Sequence, residues 1–346
     1  MHARLAVLSL LAAFTACGSS ERPRLIRLQG AGASFPAPLY GRWFKVFNAA
    51  HPNVQIDYQS VGSGSGVKSV IDGTIDFAAS DAAMTAEEIE RVPRGIQLLP
   101  MTAGSIVLSY NLPHVEELKL SREAYTGIFL GKIKSWDDAA IASANPGVQL
   151  PKLPINLVVR ADSSGTSFVI SQHLSAVSEE FAKNPGTNKM PNWPAGTRAK
   201  GNEGIASNLK STPGSIGYLE YGYAETQHMP MASLQNKSGA FVRASTESGQ
   251  SALKNAKLSA DLVGWNPDPA EPASYPIATY TWLCVYRHYD DAQELEALRD
   301  FVHYGASEGQ QFAESLGYIP LPDDVRKQVI EAVDKLAPGK TVASSQ

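Results

Sequence analysis

The sequence predicts an α/β fold in two lobes. Three observations point to it. Short apolar strand candidates alternate with amphipathic helix patterns along the chain. Ser/Gly-rich turns join several strands to the helices that follow. The chain is also too long for one core: after an N-terminal leader, about 330 residues remain, against the roughly 250–300 at which single cores stop growing.

The elements follow in order. Residues 25–29 read as a strand that runs into Gly30-Ala31-Gly32-Ala33-Ser34-Phe35-Pro36-Ala37-Pro38. Leu39, Trp43, Val46 and Phe47 then recur at helical spacing. His51-Pro52-Asn53 stops that helix, and 54–59 alternates as a strand. Gly62-Ser63-Gly64-Ser65-Gly66 comes next and opens a helix bearing Val67, Val70 and Ile71. Residues 75–79 form a short apolar strand ending at Ser80-Asp81. Further strands are expected at 106–110, 155–160, 216–221 and 279–286. Further helices are expected at 125–130, 136–144, 170–181, 295–304 and 323–335. Residues 184–201, rich in Pro, Gly, Lys and Asn, read as an irregular surface excursion, and 267–276 as a Pro-rich connector.

The leader is residues 1–16: His2 and Arg4, then an apolar run too short to span a bilayer, which reads as a signal peptide. The small residues before Cys17 resemble a bacterial lipoprotein cleavage site, although Phe14 stands where that pattern usually has Leu or Val. That resemblance makes Cys17 the lipidated N-terminus and 17–24 a flexible tether. The only other cysteine, Cys284, lies in an apolar strand, so the mature chain holds no internal disulfide and the thiol reads as a small buried hydrophobe.

Composition excludes some functions. The net charge is −4, and loss of Arg4 leaves 29 basic residues against 34 acidic ones, a balance of −5. A nucleic-acid binder usually carries a basic face. An acidic protein that binds an anion must do so through local dipoles, not its overall field. The segment 62–69 lacks the Gly-Lys-Ser/Thr of a P-loop, and 30–36 does not spell G-x-G-x-x-G.

The chemistry sits in three turns of one design, each following a strand and opening a helix: Gly32-Ala33-Ser34-Phe35, Gly62-Ser63-Gly64-Ser65-Gly66 and Ser163-Ser164-Gly165-Thr166. A helix start offers unpartnered N–H groups and a partial positive charge. Glycine admits a ligand close to the backbone, and hydroxyls add donors. Converging ends of this kind make a cage for a small oxyanion. Any one of them alone is most often a simple N-cap.

Two charged residues flank the turns. Arg160 ends a strand where ligands bind in open α/β sheets, and its planar fork can grip two oxygens of a tetrahedral anion. Asp162 is near enough to make a structural ion pair with it or to orient it. Asp81 ends the strand 75–79. A carboxylate there repels an anion unless the anion donates a proton. Phosphate keeps a proton near neutrality in good part, whereas sulfate has none, so Asp81 would admit the first and refuse the second. The alternative is that Asp81 caps the next turn. The histidines are scattered outside the three turns without metal-ligand spacing, so no metal, cofactor or catalytic residue is expected.

Four segments carry a family resemblance: Gly30–Pro38, Ile75–Asp81, Gly131-Lys132-Ile133-Lys134-Ser135-Trp136-Asp137-Asp138, and Arg160–Phe168. Together they resemble the phosphate-binding, solute-binding protein of bacterial phosphate ABC transporters, from about Leu28 to about Lys335. The resemblance implies a type II periplasmic-binding-protein fold, with mixed sheets flanked by helices and a ligand cleft between two lobes. Lobe 1 would comprise 25–105 and 278–338, lobe 2 106–277, and 339–346 a tail, with crossing strands near 104–107 and 276–280. Ser34 and the Phe35 N–H would donate to phosphate, as would Ser63 and then Ser164, Gly165 and Thr166. Asp81 would accept the phosphate proton, and Arg160 would pair with the anion, oriented by Asp162. It further implies an exported monomer, in the periplasm or at the cell surface, that meets ABC permease subunits and touches the membrane only through a lipid anchor. A phosphatase-like enzyme on the same scaffold and a binder of another tetrahedral oxyanion stand as alternatives. The Ser/Gly turn 62–66 departs slightly from the family's usual Gly-Ser-Ser-Gly-Gly but retains Ser63.

Overall fold

A computed structural model describes residues 24–339. The expected signal peptide, Cys17, nearly all of the expected tether and the tail beyond Gly339 lie outside the described residues. Eight strands form one continuous sheet. They are β1 (Ile26–Gly32), β2 (Val54–Ser60), β3 (Phe77–Ser80), β4 (Ile96–Tyr110), β5 (Asn156–Arg160), β6 (Thr197–Ala199), β7 (Ser215–Glu220) and β8 (Ala278–Tyr286), in the spatial order β2-β1-β3-β8-β4-β7-β5-β6. The outer pairs are parallel: β1 with β2 and β3, and β5 with β6 and β7. The central pairs, β3–β8, β8–β4 and β4–β7, are antiparallel. This is a mixed α/β fold whose sheet has two halves.

The long strand β4 belongs to both halves. Its residues 96–105 pair with β8, up to Ser105 opposite Ala278. From Ile106, opposite Glu220, it pairs with β7 instead. The expected strand at 106–110 is therefore only the last third of β4. Pro100 and Gly104 read against a strand because proline cannot donate to a ladder. The sheet accommodates Pro100 at a register shift between Thr281 and Trp282 of β8, where a bulge relaxes the pairing.

Other expectations shift for local reasons. β1 continues through Gly32 instead of stopping at residue 29, because Gly32 lies so near β3 that a Cβ would meet the Ala79 carbonyl oxygen at 2.1 Å. Of 136–144 only Ala139–Ala142 is helical. Trp136 is instead pinned in the core, its Nε1–H donating to the Gly214 carbonyl at 2.9 Å. The stretch 184–201 is irregular and largely exposed, as its composition suggests, but it is anchored in the core at Trp193 and carries a short strand near its end. Trp193 packs against Phe129, Phe181 and Tyr218, and β6 adds an edge strand to β5.

The helices that matter for the site start at the C-terminal ends of these strands. They are α1 (Ala37–Ala50) after β1, α2 (Ser63–Ile71) after β2, α3 (Gly165–Val177) after β5 and α4 (Gly201–Ser211) after β6. α1 buries Leu39, Tyr40, Trp43, Phe44 and Phe47, the face that its periodicity marks. Cys284 is buried in β8 between Ala78 and Leu98.

Candidate anion-binding site

The strand ends of both halves converge on one buried polar cluster. Ser34, Ser63, Asp81, Arg160, Ser164 and Thr166 are each at most 3 % exposed, a rare state for such residues unless they are paired. Phe35 is fully buried as well.

Arg160 ends β5. Its Nε donates to Asp162 Oδ1 at 2.8 Å, its Nη2 to Asp162 Oδ2, and its Nη1 to Thr166 Oγ1 at 3.2 Å. The two-pronged grip on Asp162 fixes the guanidinium plane. The Gly201 N–H also donates to Asp162 Oδ1, at 3.0 Å. Burial by itself raises the Asp162 pKa, but the Arg160 hydrogen bonds and charge outweigh it, and the carboxyl sits below the usual carboxylate range.

Asp81 faces this group from the end of β3. Its Oδ2 accepts from Thr166 Oγ1 at 3.4 Å and its Oδ1 from Thr281 Oγ1 at 2.9 Å. Burial pushes its pKa up to about 7, against the pull of Thr281, Arg160 and Thr166. Asp81 therefore holds or releases a proton near neutrality.

Ser63 and Gly165 close the cluster. The Gly165 N–H donates to Ser63 Oγ at 3.0 Å, and the Asp81 N–H to the same oxygen at 3.4 Å. A Cβ on Gly165 would lie 2.5 Å from Ser63 Oγ and 2.7 Å from Asp81 Oδ2, so only glycine permits this approach. Ser163 accepts through its carbonyl from the Gly64 N–H at 2.9 Å. The turns after β2 and β5 thus touch across the two halves of the sheet.

The remaining expected residues sit as follows. Ser34 Oγ accepts from the Asn202 N–H at 3.1 Å and from Asn202 Nδ2 at 3.0 Å, and the Ser34 carbonyl accepts from the Tyr223 hydroxyl at 2.7 Å. Arg160 is near enough to Tyr223 to offset part of the rise in the phenol pKa that burial and Glu203 impose. The Phe35 carbonyl accepts from the Tyr318 hydroxyl at 2.7 Å. Ser164 is the N-cap of α3: its Oγ accepts from the Ser167 N–H at 3.1 Å, and its own N–H donates to the Lys189 carbonyl at 2.9 Å.

Sequence reasoning missed Thr281, Asn202 and Tyr223. Thr281 had a signal: a hydroxyl in a wholly buried strand must find a partner. Asn202 also had one, because Lys200-Gly201-Asn202 is a fourth strand-turn-helix junction. It was obscured because β6 has only three residues.

Comparisons with known proteins agree with this architecture. A family model described as a PBP superfamily domain matches residues 18–308. The phosphate-binding protein PstS of Xylella fastidiosa (strain 9a5c) is 39% identical over 317 residues, covering 90% of this chain and 86% of that one. The chain belongs to the PstS family of the PBP superfamily. Membership extends to the PstS protein of Methanocaldococcus jannaschii, 35% identical over 92% of this chain and 88% of its own. Among solved structures, a high-affinity periplasmic phosphate-binding protein, PfluDING, bound with phosphate, superposes with a TM-score of 0.72 at 21% identity, over 88% of this chain and 93% of that one. A phosphate-binding protein from Stenotrophomonas maltophilia superposes at 0.66 and 20% identity, over 88% and 93%. At such identities these structures establish the two-lobed fold.

Proposed function

We propose that this PstS-family chain captures inorganic phosphate between its two lobes, outside the cytoplasmic membrane, and delivers it to the permease of an ABC transporter. The observation that carries the reading is the pairing of Arg160 with Asp81 in one buried cluster, linked through Thr166. A cation bound to a tetrahedral anion is common chemistry. A carboxyl beside it, poised near neutrality, suits an anion that shares a proton. Phosphate near pH 7 has one to share, and sulfate does not.

In this reading Arg160, oriented by Asp162, supplies the charge. Ser34, Ser63, Ser164 and Thr166 supply hydroxyls, and the N–H groups of Phe35, Gly165 and Thr166 supply backbone donors. The lobes comprise 25–105 with 278–338 and 106–277, hinged where β4 passes from β8 to β7. Closure removes the anion from water, which strengthens each hydrogen bond made to it. Export by the 1–16 leader, with Cys17 as a lipid anchor, would hold the monomer at the membrane face where permease subunits take the ligand.

A binder, not a hydrolase, fits the residues at hand. Hydrolysis by a histidine base would need an imidazole beside a hydroxyl of the cluster. The buried His173 is occupied by the Tyr125 hydroxyl and the Pro267 carbonyl, at 3.0 and 2.7 Å. His303 pairs with Asp334 on the surface. Calorimetric titration with phosphate, arsenate and sulfate tests the reading: tight phosphate, measurable arsenate and negligible sulfate are expected. Equal affinity for sulfate would remove the role given to Asp81. Sustained release of phosphate from a phosphomonoester, above background, would favour the phosphatase instead.

A further inference from the structure

We propose that Asn202 is a positioning residue whose two donors fill the lone pairs of Ser34 Oγ and leave the Ser34 proton free to donate to the bound anion. The inference rests on the phosphate reading and names a residue outside the three anion-binding turns.

Ser34 follows β1, and Asn202 lies in the first turn of α4, at the far edge of the other half of the sheet. Both are buried, at 1 % and 0 % exposure. A hydroxyl oxygen has two lone pairs and one proton. The Asn202 N–H and Nδ2 both donate to Ser34 Oγ, at 3.1 and 3.0 Å. Among the described residues nothing accepts the Ser34 proton, so that proton is the one capacity left. The amide orientation is fixed as well. Asn202 Oδ1 accepts from the Glu220 N–H at 3.2 Å, and exchanging Oδ1 with Nδ2 would set two donors against each other. Glu220 is the residue opposite Ile106, where β4 changes partner. Asn202 thus ties the donor state of Ser34 to the strand junction between the halves.

An alanine at position 202 would free one lone pair, and the Ser34 hydroxyl could then rotate away from the anion. The test is a double-mutant cycle read by calorimetric titration with inorganic phosphate. Asn202→Ala should weaken phosphate about five- to tenfold, the value of one hydrogen bond. In a Ser34→Ala background the same change should cost less than about twofold, because no proton remains to aim. In a Ser34→Thr background, where the hydroxyl is kept, the full loss should return. Asn202→Ser, which keeps the backbone donor and replaces the carboxamide with a shorter hydroxyl, carries the cycle if the alanine variant does not fold. Equal losses in the native and the Ser34→Ala backgrounds would mean that Asn202 is merely structural, and would overturn the proposal. Absence of phosphate binding by the unaltered protein would sink the anion assignment itself, and the proposal with it.

Discussion

Replacing Asp81 by asparagine probes the selectivity of the site with almost no change of volume. In the native cluster Oδ1 accepts from Thr281 at 2.9 Å and Oδ2 from Thr166 at 3.4 Å. Asparagine keeps the oxygen that faces Thr281 and turns the other acceptor into a donor. Phosphate would lose a charge-assisted bond, worth about 1.5–3 kcal/mol, and regain a neutral one of about 1 kcal/mol. Its affinity should therefore fall by roughly two- to thirtyfold. At pH 8, where Asp81 has released its proton, sulfate would lose an acceptor–acceptor clash and gain that neutral bond, together about 3 kcal/mol, or roughly a hundredfold. The sulfate-to-phosphate ratio of dissociation constants should narrow by about two to three orders of magnitude. The same variant has a stability signature without ligand. Asp81 titrates near 7 when buried and near 4 when unfolded, so between these values the folded chain binds the extra proton. Wild-type stability accordingly falls from about pH 4 to pH 7, and this contribution is flat above. The variant lacks that slope and should gain on wild type as pH rises from 5 to 8. Titration calorimetry with both anions and thermal unfolding across pH would read the two effects. A selectivity ratio within threefold of wild type would refute the role given to Asp81, and an unchanged gap in unfolding temperature would refute its burial as a titrating acid.

Three further outcomes are expected. Arg160→Lys loses the two-pronged contact with Asp162 and the contact with Thr166, so phosphate affinity should drop by at least about tenfold while discrimination against sulfate survives; competition titration would read both. Gly165→Ala brings a Cβ within 2.5 Å of Ser63 Oγ, so the two turns cannot meet without displacement; phosphate binding should fall below detection and stability should drop by about 1–3 kcal/mol, which calorimetry beside thermal denaturation would read. Trp136→Ala empties a fully buried site and strands the Gly214 carbonyl, at a cost of about 3–5 kcal/mol in urea unfolding, with little change in phosphate affinity for the folded fraction.

Local physics left its marks in the sequence. The apolar period of Leu39, Trp43 and Phe47 gave away the buried face of α1, because a 3.6-residue repeat puts those side chains on one stripe. The Ser/Gly turns gave away helix starts, because capping and close approach demand those residue types within a few positions. The acid–base logic of Asp81 and Arg160 could also be read, since each ends a strand. By contrast, β4 was underestimated and β6 missed. Neither has a sufficient pattern of its own, and partner strands decide whether a segment with Pro100, or one of three residues, can join a sheet.

The tertiary structure alone decided which groups meet. Thr281 reaches Asp81 from 200 positions away, Gly165 reaches Ser63 from 102, and Asn202 reaches Ser34 from 168. Such pairs depend on how β4 passes from one half of the sheet to the other, a choice that depends on strand partners and leaves no periodicity in the chain. The sequence by itself offered the candidate donors, the candidate cation and the candidate acid. Their mutual burial, and with it the shift that brings Asp81 to the edge of ionisation, exists only once the two halves close on each other, because desolvation is a property of the assembled site.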